Sequence, residues 1–146
     1  MKQSKSRSND PLSPALVIDT AMYERLRSVA SAAMHDAPDV AEPLLEEIER
    51  AEIVASDAMP ADVVSIGSIV TYRDVATGST RTIELVWPGE ADPKRQRFSV
   101  VSPIGAALIG LSIGQTMSWQ LREGESRQLT VVNVSTHAQI AATPGA

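Results

Sequence analysis

The sequence predicts an α+β protein: a short N-terminal antiparallel coiled-coil hairpin, then an antiparallel sheet curled around a short helix. Three observations carry this. Apolar residues recur at helical spacing through about residue 52 and alternate from residue 68 onward. A proline-containing break at His35–Asp39 divides the helical part in two. A short apolar helical pattern lies between the third and fourth strand patterns, where it can fill the concave face of a curled sheet.

The elements follow in order. Residues 1–13 are polar, rich in Ser and Lys, and read as a disordered tail. Pro14–Ile18 is a short extended lead-in, after which Asp19 or Thr20 can cap a helix. The first helix runs from about Ala21 to His35, with Met22, Leu26, Val29 and Ala33 on one narrow seam. Pro43 fits the first position of a second helix, where its missing N–H costs nothing. Glu46 and Glu47 then sit near that helix's N-terminal end, where the dipole favours them. Leu44, Ile48 and Ala51 form its seam. Helices this short are marginal alone, so the hairpin is expected to lean on the second half or on a partner.

Ser56–Pro60 reads as a linker. Ser68–Arg73 and Thr80–Trp87 are strands, the second with Arg81, Ile83, Leu85 and Trp87 on one face and Thr80, Thr82, Glu84 and Val86 on the other. Pro88–Arg95 is a loop and Arg97–Val101 a third strand. Ser102 caps a short helix that Pro103 opens, and Ile104, Ala107, Leu108 and Leu111 are its apolar face. Thr116–Leu121 and Arg127–Val134 are the last strands, joined by a turn at Arg122–Glu125, and residues 136–146 read as a tail.

Composition narrows the function. The 146 residues contain no cysteine, which removes disulfides, thiolate metal sites and cysteine nucleophiles. His35 and His137 are far apart in the chain and form no ligand cluster. Five aromatics are too few for a base-stacking platform. No apolar run approaches the ~20 residues of a membrane span. Met1–Asp10 lacks the apolar stretch of a secretory signal, so a cytoplasmic location is expected. Residues 11–59 carry three arginines against ten acids, whereas residues 60–146 balance seven against seven. This distribution argues against direct duplex binding, which uses a clustered basic face, and for a protein partner. No catalytic residue, cofactor or metal site is expected: neither histidine has an evident partner, and Gly105 and Gly110 are followed by Leu111 where a phosphate loop needs lysine.

The run VSPIGAALIGLSIGQ at 101–115, followed by Ser118 and Trp119, resembles the C-terminal domain of the bacterial Gre transcript-cleavage factors. More closely it resembles their relatives, the regulator of nucleoside diphosphate kinase (Rnk) family. Met59–Val64, Ile83–Pro88 and the hairpin ending Glu49–Ala51 add to the likeness, which spans roughly residues 14–135. The resemblance implies a hairpin over 14–58 and an FKBP-like domain over 59–135. In the family, that domain docks at the rim of the RNA polymerase secondary channel and the hairpin points into it. Gre factors carry tip acids that help hold the catalytic magnesium. Rnk has a much shorter hairpin, does not stimulate cleavage and competes with Gre. The implied role is therefore a non-enzymatic regulator whose partner is RNA polymerase, touching nucleic acid only through it and no membrane. Regulation of nucleoside diphosphate kinase levels through another partner, and weak prolyl isomerase activity, are the alternatives.

The hairpin-tip acids Asp36 and Asp39 read either as donated metal ligands or as ordinary turn and cap residues. Lys94, Arg95 and Arg97 are the densest positive cluster, either a contact for an acidic partner surface or a solvated loop. Ser102, Pro103, Gly105 and Ser112 form the expected exposed edge of the docking segment, with Gly105 permitting close backbone approach. Trp87 and Trp119 are expected in the core rather than in contact with a partner.

Overall fold

The computed structural model describes residues 16–122 and 125–136. The expected N-terminal tail, the C-terminal tail from residue 137 and the tip of the 122–125 turn fall outside them. Strand β1 (Val17–Asp19) leads into helix α1 (Thr20–Ala33). The Asp19 carboxylate caps that helix by accepting from the Ala21 N–H at 2.7 Å. It also accepts from the Ser56 hydroxyl at 2.6 Å, so one side chain ties the start of α1 to the chain leaving the second helix. Backbone bonds from Met34, His35, Asp36 and Ala37 to carbonyls of Ser31–Ala33 close the turn.

Helix α2 spans Pro38–Arg50. Pro38, not Pro43, occupies its first turn, and Pro43 lies inside the helix on an exposed face. Starting at Pro38 adds a turn that buries Ala41, and Pro43 leaves one backbone bond inside the helix unmade. The shift also moves Glu46 and Glu47 away from the N-terminus, and Glu47 is buried. Leu26, Ala30, Leu44 and Ile48 form the buried seam between the helices and the rest of the protein. Each fully buried Leu or Ile contributes about 1.5–3 kcal/mol, more than the intrinsic stability of helices this short.

A second three-residue strand, β2 (Glu52–Val54), is where the sequence reads as continuing helix. It pairs in parallel with β1, Ile53 beside Ile18. The other strands form one sheet in the order β5-β4-β3-β7-β6, with β3 Ile69–Asp74, β4 Thr80–Val86, β5 Arg97–Ser99, β6 Thr116–Arg122 and β7 Glu125–Ser135. The sheet is not wholly antiparallel: β5 runs parallel to β4, Glu84 beside Arg97. Two short 3₁₀ turns and a left-handed Gln96 (φ 61°) reverse the chain twice between them. Helix α3 (Pro103–Leu108) packs against β5 and β6. Its Ile104, Ala107 and Leu108 share one core with Val70, Tyr72, Ile83, Leu85, Leu129 and Val131 of the sheet.

Candidate functional site

The segment 99–115 is built from the inside out. Ser102 caps α3, its hydroxyl accepting from the Gly105 N–H at 3.1 Å and donating to the Ser99 carbonyl at 2.6 Å. Both capacities of that hydroxyl are used within the chain. Gly105 is buried rather than on an exposed edge. A Cβ there would fall onto the Ser99 carbonyl oxygen and lie 2.9 Å from the Val100 Cα. The glycine lets α3 pack on the end of β5, so the close approach it permits is internal. Pro103 is exposed and Ser112 half-buried, its N–H held by the Gln115 side chain at 2.8 Å. Ile113, which the sequence reading did not single out, is 41% exposed. Its signal was present: an apolar residue between Ser112 and Gly114, beyond the end of the helix.

The basic cluster divides. Lys94 and Arg95 are exposed on the 3₁₀ turn, with Arg95 3.7 Å from Asp92. Arg97 lies past the left-handed Gln96, and its buried Nε faces Glu84 at 3.5 Å across the β4–β5 pair, an ion-pair distance too long for a hydrogen bond. It braces the sheet edge, which leaves Lys94 and the Asp92-paired Arg95 as the exposed part of the cluster.

At the far end, Asp36 lies in the turn and Asp39 in the first turn of α2, both exposed, beside an exposed Met34. Asp39 suits the positive end of the helix dipole. Among the described residues no group of three or more His, Asp or Glu could hold a metal ion. Also among them, no helix is long and apolar enough to cross a membrane.

Two further features bear on how the site is held. The Arg25 guanidinium of α1 sits 4.2 Å from the ring centroid of the half-buried Trp87, just past β4. Asp74, at the β3–β4 turn, accepts from Arg127 at 2.7 Å and from the Ala76 and Thr77 N–H groups. The bond from Arg127 is the chief reason its carboxyl titrates below the ordinary aspartate value. Burial pushes the Tyr72 phenol up. The side chain of Trp119 lies outside the described part.

Residues 59–136 match the family "Transcription elongation factor, GreA/GreB, C-term", and residues 14–54 match "Rnk N-terminus". The chain is 31% identical over 121 residues to the regulator of nucleoside diphosphate kinase of Escherichia coli K12, covering 83% of this chain and 89% of that protein. It is 36% identical over 88 residues to the transcription elongation factor GreA of Leuconostoc mesenteroides, and spans 55% of that longer protein. Among solved structures, a GreA/GreB elongation factor from Nitrosomonas europaea superposes with a TM-score of 0.66 at 28% identity, covering 82% of this chain and 98% of that one.

Proposed function

The chain belongs to the Gre-like transcription-factor family, on the branch of the regulators of nucleoside diphosphate kinase, and from that membership we propose a non-enzymatic regulator that binds RNA polymerase. In this reading the sheet and α3 form the FKBP-like docking half, set at the rim of the secondary channel. The two helices form a short coiled-coil hairpin that obstructs the channel mouth. The protein acts by occupancy, competing with Gre factors without stimulating transcript cleavage in the cytoplasm.

The observation that supports this best is the length of the helical pair. At 1.5 Å per residue, α1 and α2 rise only about 20 Å. The resemblance implies that cleavage-stimulating Gre factors deliver tip carboxylates to the polymerase metal on a longer hairpin, and the Leuconostoc GreA that this chain matches is the longer protein. Asp36 and Asp39 fit turn and helix-start roles. The docking contact is assigned to Pro103 and Ser112, supported by Ile113, with Lys94 and Arg95 adding attraction to an acidic surface.

The test is capture of purified core polymerase by the tagged full chain. Retention at moderate salt supports the reading, and no retention at any salt removes it. The name of the Escherichia coli relative favours a second reading, control of nucleoside diphosphate kinase levels through another partner. Capture of polymerase separates the two.

A further inference from the structure

Three ties join the helical pair to the sheet. The first is a strap of backbone hydrogen bonds. The Leu16 carbonyl accepts from the Glu52 N–H at 2.8 Å, and the Val17 N–H donates to the Gly110 carbonyl at 3.1 Å. Gly110 in turn donates to Val64 at 3.0 Å, so β1 is laid between the exit of α2 and the exit of α3. Gly110 is bare there for a reason: its φ is +81° and a Cβ would lie 2.7 Å from the Leu16 Cβ. The second tie is the core. Leu16, Ile18, Leu26 and Ile48 belong to the same buried cluster as Val64, Leu85, Val100 and Leu108. The third is the Arg25–Trp87 stack.

The strap holds the base of the helical pair and the core holds its inner face through Leu26, Leu44 and Ile48; the Arg25–Trp87 contact adds a hold on the exposed side of α1. Arg25 lies five residues into α1 from Thr20, about 8 Å along its axis. A contact there, away from the strap, acts on the tilt of the pair with leverage. We propose that Arg25 is a positioning residue: through Trp87 it locks the tilt of the helical pair on the sheet, so that the direction of the 34–37 turn is set before any partner is met. The planar guanidinium suits this, since a cation over an indole face is held by the ring's quadrupole in a defined place. On the polymerase reading, on which the functional consequence rests, the lock aims the hairpin into the channel. The lock itself is a property of the free chain, so it can fail without that reading failing, and the reverse.

The chain has no cysteine, so nitroxide labels can be placed cleanly at Asp36→Cys and Ala76→Cys, both exposed, in the full-length protein. Pulsed electron spin resonance should give one narrow distance peak. Arg25→Gln should lose that narrow peak while keeping the wild-type circular dichroism spectrum. Arg25→Lys, which retains a cation over the ring, should restore it. Trp87→Leu removes the same contact from the other side and should broaden the peak as Arg25→Gln does. A broad or double-peaked distribution in the wild type, or a peak unchanged in both Arg25→Gln and Trp87→Leu, overturns the proposal.

Discussion

Replacing Gly105 with Ala separates two readings of the docking segment. If the glycine faced a partner, a single methyl would leave the free protein as stable as before and weaken binding alone. The structure places the new Cβ on the Ser99 carbonyl oxygen, 2.8 Å from its carbon and 2.9 Å from the Val100 Cα. That carbonyl is already fixed by the Ser102 N–H at 2.9 Å and the Ser102 hydroxyl. The obstacle is therefore backbone, which cannot swing aside as a side chain would. Overpacking of this kind costs about 1–3 kcal/mol, and the immobile neighbour puts this case near the top of that range. Alanine recovers about 1 kcal/mol of helix propensity over glycine, leaving a net loss of about 2 kcal/mol. An unfolding entropy of about 2.1 cal/mol/K per residue converts that loss, for 146 residues, into a fall of about 6 °C in melting temperature. Thermal melts followed by circular dichroism read it directly. Gly89→Ala, where nothing lies within 4 Å, is the control and should melt with the wild type. A Gly105→Ala protein that also melts within about 1 °C of wild type would refute the packing argument.

Three other outcomes are expected. Ser102→Ala removes the cap of α3 and should cost about 1 kcal/mol in urea unfolding, with Ser102→Thr recovering most of it; equal stability of the alanine and threonine variants would show that the cap contributes nothing. The lowered Asp74 pKa means its carboxylate stabilises the fold above the ordinary aspartate range, and that contribution is lost as pH falls through the depressed folded value. The melting-temperature gap between wild type and Asp74→Asn should therefore be full at neutral pH and close only in strong acid; a gap independent of pH contradicts the assignment. Finally, the full chain added to a backtracked elongation complex with Mg²⁺ should not accelerate transcript cleavage, and cleavage abolished by the Asp36→Ala, Asp39→Ala double variant would restore the tip acids as donated ligands.

What could be read from the sequence follows a physical divide. Local signals survived: the Ser102–Pro103 helix start, the Leu26, Leu44 and Ile48 seam, and the alternation that buries Ile83 and Leu85. Each depends on neighbours within a turn or a strand. Features made by residues far apart in the chain did not survive. The β1–β2 pair is three residues long on each side and parallel, and Glu52–Val54 alone is indistinguishable from one more helical turn. The parallel β5 depends on where a loop with a left-handed Gln96 returns the chain. Two prolines offer a start for α2, and the helix begins at Pro38, which brings Ala41 into the buried face. Gly105 was recognisable as a close-approach position, but the partner in that approach is the chain's own Ser99 carbonyl, which no spacing rule locates. The Arg25–Trp87 stack likewise joins a helix to the end of a strand with no local signature.

The most direct test of the central proposal is a competition titration. Gre-stimulated cleavage in a backtracked polymerase complex is measured at rising concentrations of this protein, and repeated at several Gre concentrations. Two ligands for one site exclude each other by mass action. Suppression should therefore approach completion at saturation, and the concentration giving half-suppression should rise in proportion as Gre is raised. Polymerase that holds both proteins at once, with neither affinity altered and cleavage undiminished, would contradict the account.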